Sequence, residues 1–125
     1  MSRRVLIAED EQSIVASLDF LMRRCGYETF IARDGAAALR SLAEFDPDLV
    51  LLDLMLPGCS GFEVCEFIRG HARHAHTRVL MLTALGAPGS EARGREGGAD
   101  DYVLKPFATR DLVARAKRLL GDARE

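Results

Sequence analysis

The run Leu49-Val50-Leu51-Leu52 ends on Asp53 and starts just after the Asp46-Pro47 turn. Consecutive Leu and Val residues without alternation read as a strand buried on both faces of a sheet. A carboxylate at the mouth of such a strand is costly to desolvate unless it is paired or metal-bound. Three further runs end in the same way. Val5-Leu6-Ile7-Ala8 leads into Glu9-Asp10, Val79-Leu80-Met81-Leu82 into Thr83, and Tyr102-Val103-Leu104 into Lys105. If these strands are parallel, an acidic pair, a lone carboxylate, a hydroxyl and an ammonium converge on one edge of one sheet.

Between the runs lie helical patterns, and strand and helix alternate five times. Strands are expected at 4–9, 28–32, 49–53, 78–83 and 101–104. The first helix runs from Gln12 to about Cys25, with Ile14, Leu18, Leu21 and Cys25 on one face and Gly26 as its stop. Asp34 and Ser60 are placed to cap the second and third helices, and Thr109 to cap the last. A fourth helix over 87–98 is weak, because each interior glycine costs about 1 kcal/mol relative to alanine. Alternation with short links predicts an α/β fold, a flavodoxin-like doubly wound five-stranded parallel sheet with five helices. The less apolar second strand belongs at an edge, which favours the order 2-1-3-4-5. Ligands of such sheets bind beyond the carboxyl ends of the strands, where the strand order reverses.

The 125 residues suit one domain, 1–125. A net charge of −2 argues against direct nucleic-acid binding by this domain. No stretch is apolar enough to span a membrane and no signal-peptide pattern is visible, so a cytoplasmic location is expected. Cys25, Cys59 and Cys65 show no C-x-x-C spacing and read as reduced thiols.

Glu9, Asp10 and Asp53 would repel one another in a partly desolvated cleft, and a hard divalent cation relieves that. Magnesium takes a few carboxylates, a carbonyl and waters, leaving positions for phosphate oxygens. Lys105 supplies a point charge and Thr83 a hydroxyl donor. The set suits phosphoryl transfer, which depends on positioning and charge neutralisation. Asp53, central and alone on its strand, is the best carboxylate nucleophile.

The segments V-L-I-A-E-D-E, L-V-L-L-D-L-M-L-P-G, V-L-M-L-T-A and A-D-D-Y-V-L-K-P-F, in this order and spacing, strongly resemble the receiver domain of two-component response regulators, of the CheY-like superfamily. The resemblance covers essentially the whole chain and leaves no output domain in it. It implies that Asp53 is the phosphoacceptor and that Asp10, Asp53 and the Met55 backbone carbonyl hold magnesium. Glu9 then acts on the metal largely through water. Lys105 and the Ala84 amide would bind the phosphoryl group, Thr83 would be the switch hydroxyl and Tyr102 the switch aromatic. The Lys105–Pro106 peptide would be cis. The implied partner is a sensor histidine kinase or a histidine phosphotransfer protein, and the implied output is a changed surface on the fourth helix, fifth strand and fifth helix. No substrate turnover is expected. Met55 and Leu85 occupy the positions that tune hydrolysis in this family, and neither orients water.

Other readings stand beside these. Tyr102 could be a packed strand tyrosine. His71, His74 and His76 resemble a metal cluster, but their charged link favours a solvated loop. Asp100, Asp101, Glu96, Arg115 and Lys117 resemble the charges of a homodimer formed through that same surface, whereas Glu91, Asp111 and Arg95 depart from the pattern. An aspartyl-nucleophile phosphatase of haloacid dehalogenase type needs an acid two residues after the nucleophile, where this chain has Met55. A flavodoxin-type redox module would need a hydroxyl-rich phosphate loop after the first strand, where Glu9-Asp10 would repel a flavin phosphate.

Overall fold

A computed structural model describes residues 3–84 and 98–122. Five strands, β1 (Arg4–Ala8), β2 (Glu28–Ala32), β3 (Leu49–Asp53), β4 (Arg78–Ala84) and β5 (Asp101–Lys105), form one parallel sheet in the order β2-β1-β3-β4-β5. The helices among the described residues are α1 (Gln12–Arg24), α2 (Gly35–Phe45), α3 (Gly61–Gly70) and α4 (Thr109–Leu119). Nearly all of the fourth helix expected over 87–98 lies outside the described residues.

The alternation of side chains along each strand splits the core in two. Leu6, Ala8, Val50, Leu52, Val79 and Met81 face Ala38 and Leu42 of α2 and Val64, Cys65 and Ile68 of α3. Val5, Ile7, Leu49, Leu51, Leu80 and Leu82 face Leu18 and Met22 of α1 and Leu112 and Ala116 of α4. Every residue of β3 is buried, as its unbroken apolar run predicts, while β2 is half exposed at the sheet edge. α1 leaves β1 for one face and α3 leaves β3 for the other, so a crevice opens between these strand ends.

Local chemistry sets the helix ends. Asp34 accepts a hydrogen bond from the Ala37 amide at 2.8 Å. Ser60 and Glu63 form a reciprocal capping box, Ser60 Oγ accepting from the Glu63 amide and Glu63 Oε1 from the Ser60 amide. Gly26 stops α1 at φ +90°, where glycine carries no Cβ penalty. α1 buries Val15, Leu18 and Met22 most deeply, with Ile14, Leu21 and Cys25 at the margin, a small rotation from the expected face.

Two expectations are corrected. Thr109 does not cap α4: the Ala108 carbonyl already accepts from the Leu112 amide at 3.0 Å, so Ala108 is the N-cap and Thr109 the first helical residue. The three histidines are not a uniformly solvated loop. His71 and His76 are exposed, but His74 closes a short 3-10 turn (Ala72–His74) and is 3% exposed, its ring 6.0 Å from that of Phe67. That burial pushes its imidazole below the ordinary histidine value. Cys25 and Cys59 are free thiols, and burial pushes the Cys65 thiol up to about 11.

Candidate phosphoacceptor site

The crevice collects the residues the sequence singled out. Glu9 follows β1, and its amide still donates to Ala32 O at 3.0 Å, which holds its backbone in line with the sheet. Its side chain is fully buried. Glu9 Oε1 accepts from Lys105 Nζ at 2.8 Å and Oε2 accepts from the Glu11 amide at 3.0 Å. Asp53 is the last residue of β3 and is 5% exposed; its Oδ1 accepts from the Met55 amide at 3.1 Å and lies 3.2 Å from Lys105 Nζ. Asp10 is exposed at the rim. Among the described residues, Glu9, Asp10 and Asp53 are the group that brings three potential metal-ligating oxygens within 4.8 Å of one another.

Electrostatics follow from this packing. Burial raises the Glu9 carboxyl above its ordinary value and the nearby Asp53 charge adds to that; the bonds from Lys105 and from the Glu11 amide pull the other way. Burial alone would lower Lys105, but the bond to Glu9 and the charge of Asp53 outweigh it and hold the ammonium above the usual lysine value. One ammonium thus faces three carboxylates, and the pocket keeps an excess of negative charge. Donors of this kind, all hard oxygens with one carboxylate at the solvent rim, fit magnesium.

β4 and β5 bring the remaining groups. Thr83 is 3% exposed, and its Oγ1 has no hydrogen-bond partner among the described residues. A buried hydroxyl left unpaired costs roughly 1–3 kcal/mol, so it is primed for an acceptor. Ala84 ends β4 in register with Lys105. Tyr102 pairs in register with Met81, two residues before Thr83, so alternation sets Tyr102 and Thr83 on one face; Tyr102 is 7% exposed and belongs to the core on that face. The Lys105–Pro106 peptide is cis. Leu85 lies outside the described residues, while Met55 is 74% exposed beside the pocket.

Two features were missed in the sequence. Glu9 grips Lys105 directly, which strand-end spacing does not reveal. Gly61 packs so closely that a Cβ there would lie 2.6 Å from Asp53 O and 2.8 Å from Leu54 Cα, while its amide donates to Leu54 O at 2.9 Å. A glycine at the first helical position after a capping serine was the only available signal. Of the charges considered for a homodimer, Asp101 is engaged by Arg115 at 2.8 Å, and Asp100 by Arg69 at 2.6 Å and by the Val79 amide at 2.7 Å, all within the chain. Glu91, Arg95 and Glu96 lie outside the described residues.

The family model for the response regulator receiver domain matches residues 5–117. The chain belongs to the response regulator receiver domain family. A response regulator from Chloroflexus aurantiacus is 35% identical, with a TM-score of 0.92, covering 97% of this chain and 99% of its own. The receiver domain of a sensor histidine kinase from Pseudomonas aeruginosa, with magnesium coordinated in its active site cleft, is 26% identical with a TM-score of 0.87, covering 97% and 99%. A beryllofluoride-activated DrrB receiver domain is 33% identical with a TM-score of 0.87 over the same shares of the two chains. This receiver functions in phosphorelay signalling, and the matched family is a regulatory phosphoacceptor rather than the haloacid dehalogenase-type phosphatase weighed above. No helix among its described residues is long and apolar enough to cross a membrane.

Proposed function

We propose that this receiver takes a phosphoryl group onto a side-chain oxygen of Asp53 from a phosphohistidine on a sensor kinase or phosphotransfer protein. The observation that carries the reading is the meeting of Glu9, Asp10 and Asp53 within 4.8 Å, with Lys105 Nζ 3.2 Å from Asp53. The Asp53 oxygen forms the new P–O bond while the P–N bond of the donor breaks, its electron pair returning to the imidazole. Asp10, Asp53 and the Met55 carbonyl would hold magnesium, with Glu9 behind them. Bound there, the ion neutralises charge on the phosphoryl oxygens.

The chain's own groups do the rest. Met55 N–H orients Asp53. Lys105 sits between Glu9 and Asp53, ready to follow charge onto a phosphoryl oxygen. Thr83 gains the acceptor it lacks. Its movement leaves space on the face it shares with Tyr102, and the packing there shifts, changing the surface around β5 and α4. Such a population shift requires only a few kcal/mol of differential stabilisation.

The test is a small-molecule phosphodonor with magnesium, followed by intact-protein mass spectrometry. One phosphoryl adduct is expected on the wild type and none on Asp53→Asn. Equal labelling of the two would move the acceptor elsewhere.

A further inference from the structure

We propose a second cation site, for a transition-metal dication of the zinc type, built from Asp46, His74 and His76 with Asp48 beside them. It lies at the amino ends of β3 and β4, the opposite sheet edge from the acidic pocket. Asp46 and Asp48 flank Pro47 just before β3, and His74 and His76 close the link before β4. Because these strands are parallel neighbours, with Leu49 in register with Arg78, the two links meet.

Asp46 Oδ1 lies 3.8 Å from His74 Nδ1 and 3.7 Å from His76 Nε2, and Asp48 Oδ1 lies 4.0 Å from His76 Nε2. Asp46 Oδ1 and His74 Nδ1 are both sealed from solvent, and neither has a hydrogen-bond partner among the described residues. Their separation is too long for a hydrogen bond. Leaving a buried donor or acceptor unpaired is unfavourable, so both atoms favour a partner. An ion bonded at about 2.0–2.2 Å to each donor spans such gaps once they close by a few tenths of an ångström. Two imidazoles with carboxylates select zinc, copper or nickel over magnesium or calcium, which prefer oxygen-only sets.

The scaffold is in place before any ion arrives. Asp46 is the left-handed C-cap of α2, at φ 47° and ψ 62°, and its amide donates to Leu42 O. Asp48 Oδ2 accepts from the Arg4 amide at 2.8 Å, which turns Oδ1 toward His76. Thr77 Oγ1 donates to Pro47 O at 3.0 Å and the Arg78 amide to Asp48 O at 3.0 Å, stitching one link to the other. Neighbouring cations are engaged elsewhere, Arg73 on Ala43 O and Arg78 on Asp100. The acidic cluster is the described group whose donors already share a 4.8 Å sphere. Closing the second site therefore requires the His76 ring to turn, and its side chain, 45% exposed, is free to do so.

Calorimetric titration of the protein with zinc chloride, in excess magnesium to occupy the acidic pocket, tests the site. The wild type should show one saturable site. Binding should weaken by at least about tenfold in His76→Gln and in Asp46→Asn, and remain unchanged in Asp53→Asn. His76 is exposed and asparagine tolerates the left-handed conformation, so both variants should keep the fold. Circular dichroism checks that they do. No saturable binding by the wild type would mean that a water or a small shift closes the His74–Asp46 gap, and would overturn the proposal. So would wild-type affinity in folded His76→Gln, which would put the ion on the acidic pocket or the thiols.

Discussion

Lys105 Nζ donates to Glu9 Oε1 at 2.8 Å across 96 positions of sequence. In the sheet the two residues belong to strand ends separated by β3 and β4, so the lysine reaches over the carboxyl edge, past Asp53, to make the bond. The ammonium thereby ties the first and last strands together and partly neutralises the pocket. Three carboxylates and one ammonium still leave an excess of two negative charges in the pocket.

Asp53→Asn removes one of the repelling charges and leaves the Lys105–Glu9 bond intact. In metal-free buffer its melting temperature should exceed that of the wild type by about 3–6 °C, which corresponds to roughly 1 kcal/mol in a domain of this size. Magnesium should raise the melting temperature of the wild type more than that of the variant, because a ligand of the folded state stabilises by mass action. Melts that coincide with and without both changes would remove the case for a strained acidic cluster.

Glu9 supplies a pH dependence with a definite sign. Its carboxyl titrates higher in the folded protein than the ordinary 4.5, chiefly because it is buried. The folded state therefore holds more protons than the unfolded state just above pH 4.5, and stability from this group falls as pH rises through its folded value. Glu9→Gln lacks the titration. The melting temperature of the variant minus that of the wild type should climb between pH 4.5 and 8 in metal-free buffer. His74, lowered in both proteins, cancels in the difference. A difference that stays flat or falls over that range would contradict the burial argument.

Much of this arrangement was legible in the chain because it follows from strand patterning. The unbroken run before Asp53 marked a fully buried strand, and the mixed Glu28–Ala32 segment marked an edge, which favoured the order 2-1-3-4-5 that the sheet has. Asp34 and Ser60 were readable as caps, because capping acts over three residues of sequence. Thr109 was misread because a one-residue change in where the helix begins is decided by the backbone and not by the hydroxyl. His74 was misread for a different reason. A link too short for periodicity carries no burial signal, and the closeness of that ring to Phe67 and Asp46 exists only in three dimensions. The Glu9–Lys105 bond was invisible for the same reason, since side-chain reach across a sheet leaves no trace in spacing.

Met55 is expected to set the lifetime of a phosphoryl group carried by Asp53. Its side chain is 74% exposed beside Asp53 and carries no group able to orient an attacking water. The phosphorylated protein should therefore lose its adduct slowly, over minutes or longer, as followed by mass spectrometry after the donor is removed. Met55→Glu or Met55→Asn would place a water-orienting group at the rim and should shorten that lifetime. Loss within seconds from the wild type would show that hydrolysis is assisted from elsewhere in the pocket.

Gly61 tests whether the loop after β3 sets the aim of Asp53. Its amide donates to Leu54 O, closing the loop, and its Cα packs against the backbone that carries Asp53. A Cβ there would meet Asp53 O at 2.6 Å and Leu54 Cα at 2.8 Å, and both are backbone atoms that cannot rotate away. Either α3 or the end of β3 must shift. Gly61→Ala should therefore destabilise the fold by about 1–3 kcal/mol, the usual range for overpacking, despite the better helix propensity of alanine. It should also slow phosphoryl uptake, measured under conditions where circular dichroism shows the variant folded, because the shift moves Asp53 relative to Lys105. Gly70→Ala is the control: it lies at the other end of the same helix, where an added Cβ meets nothing within 4 Å. It should leave uptake unchanged. If Gly61→Ala melts and accepts phosphoryl groups like the control, the contact does not position Asp53 for uptake.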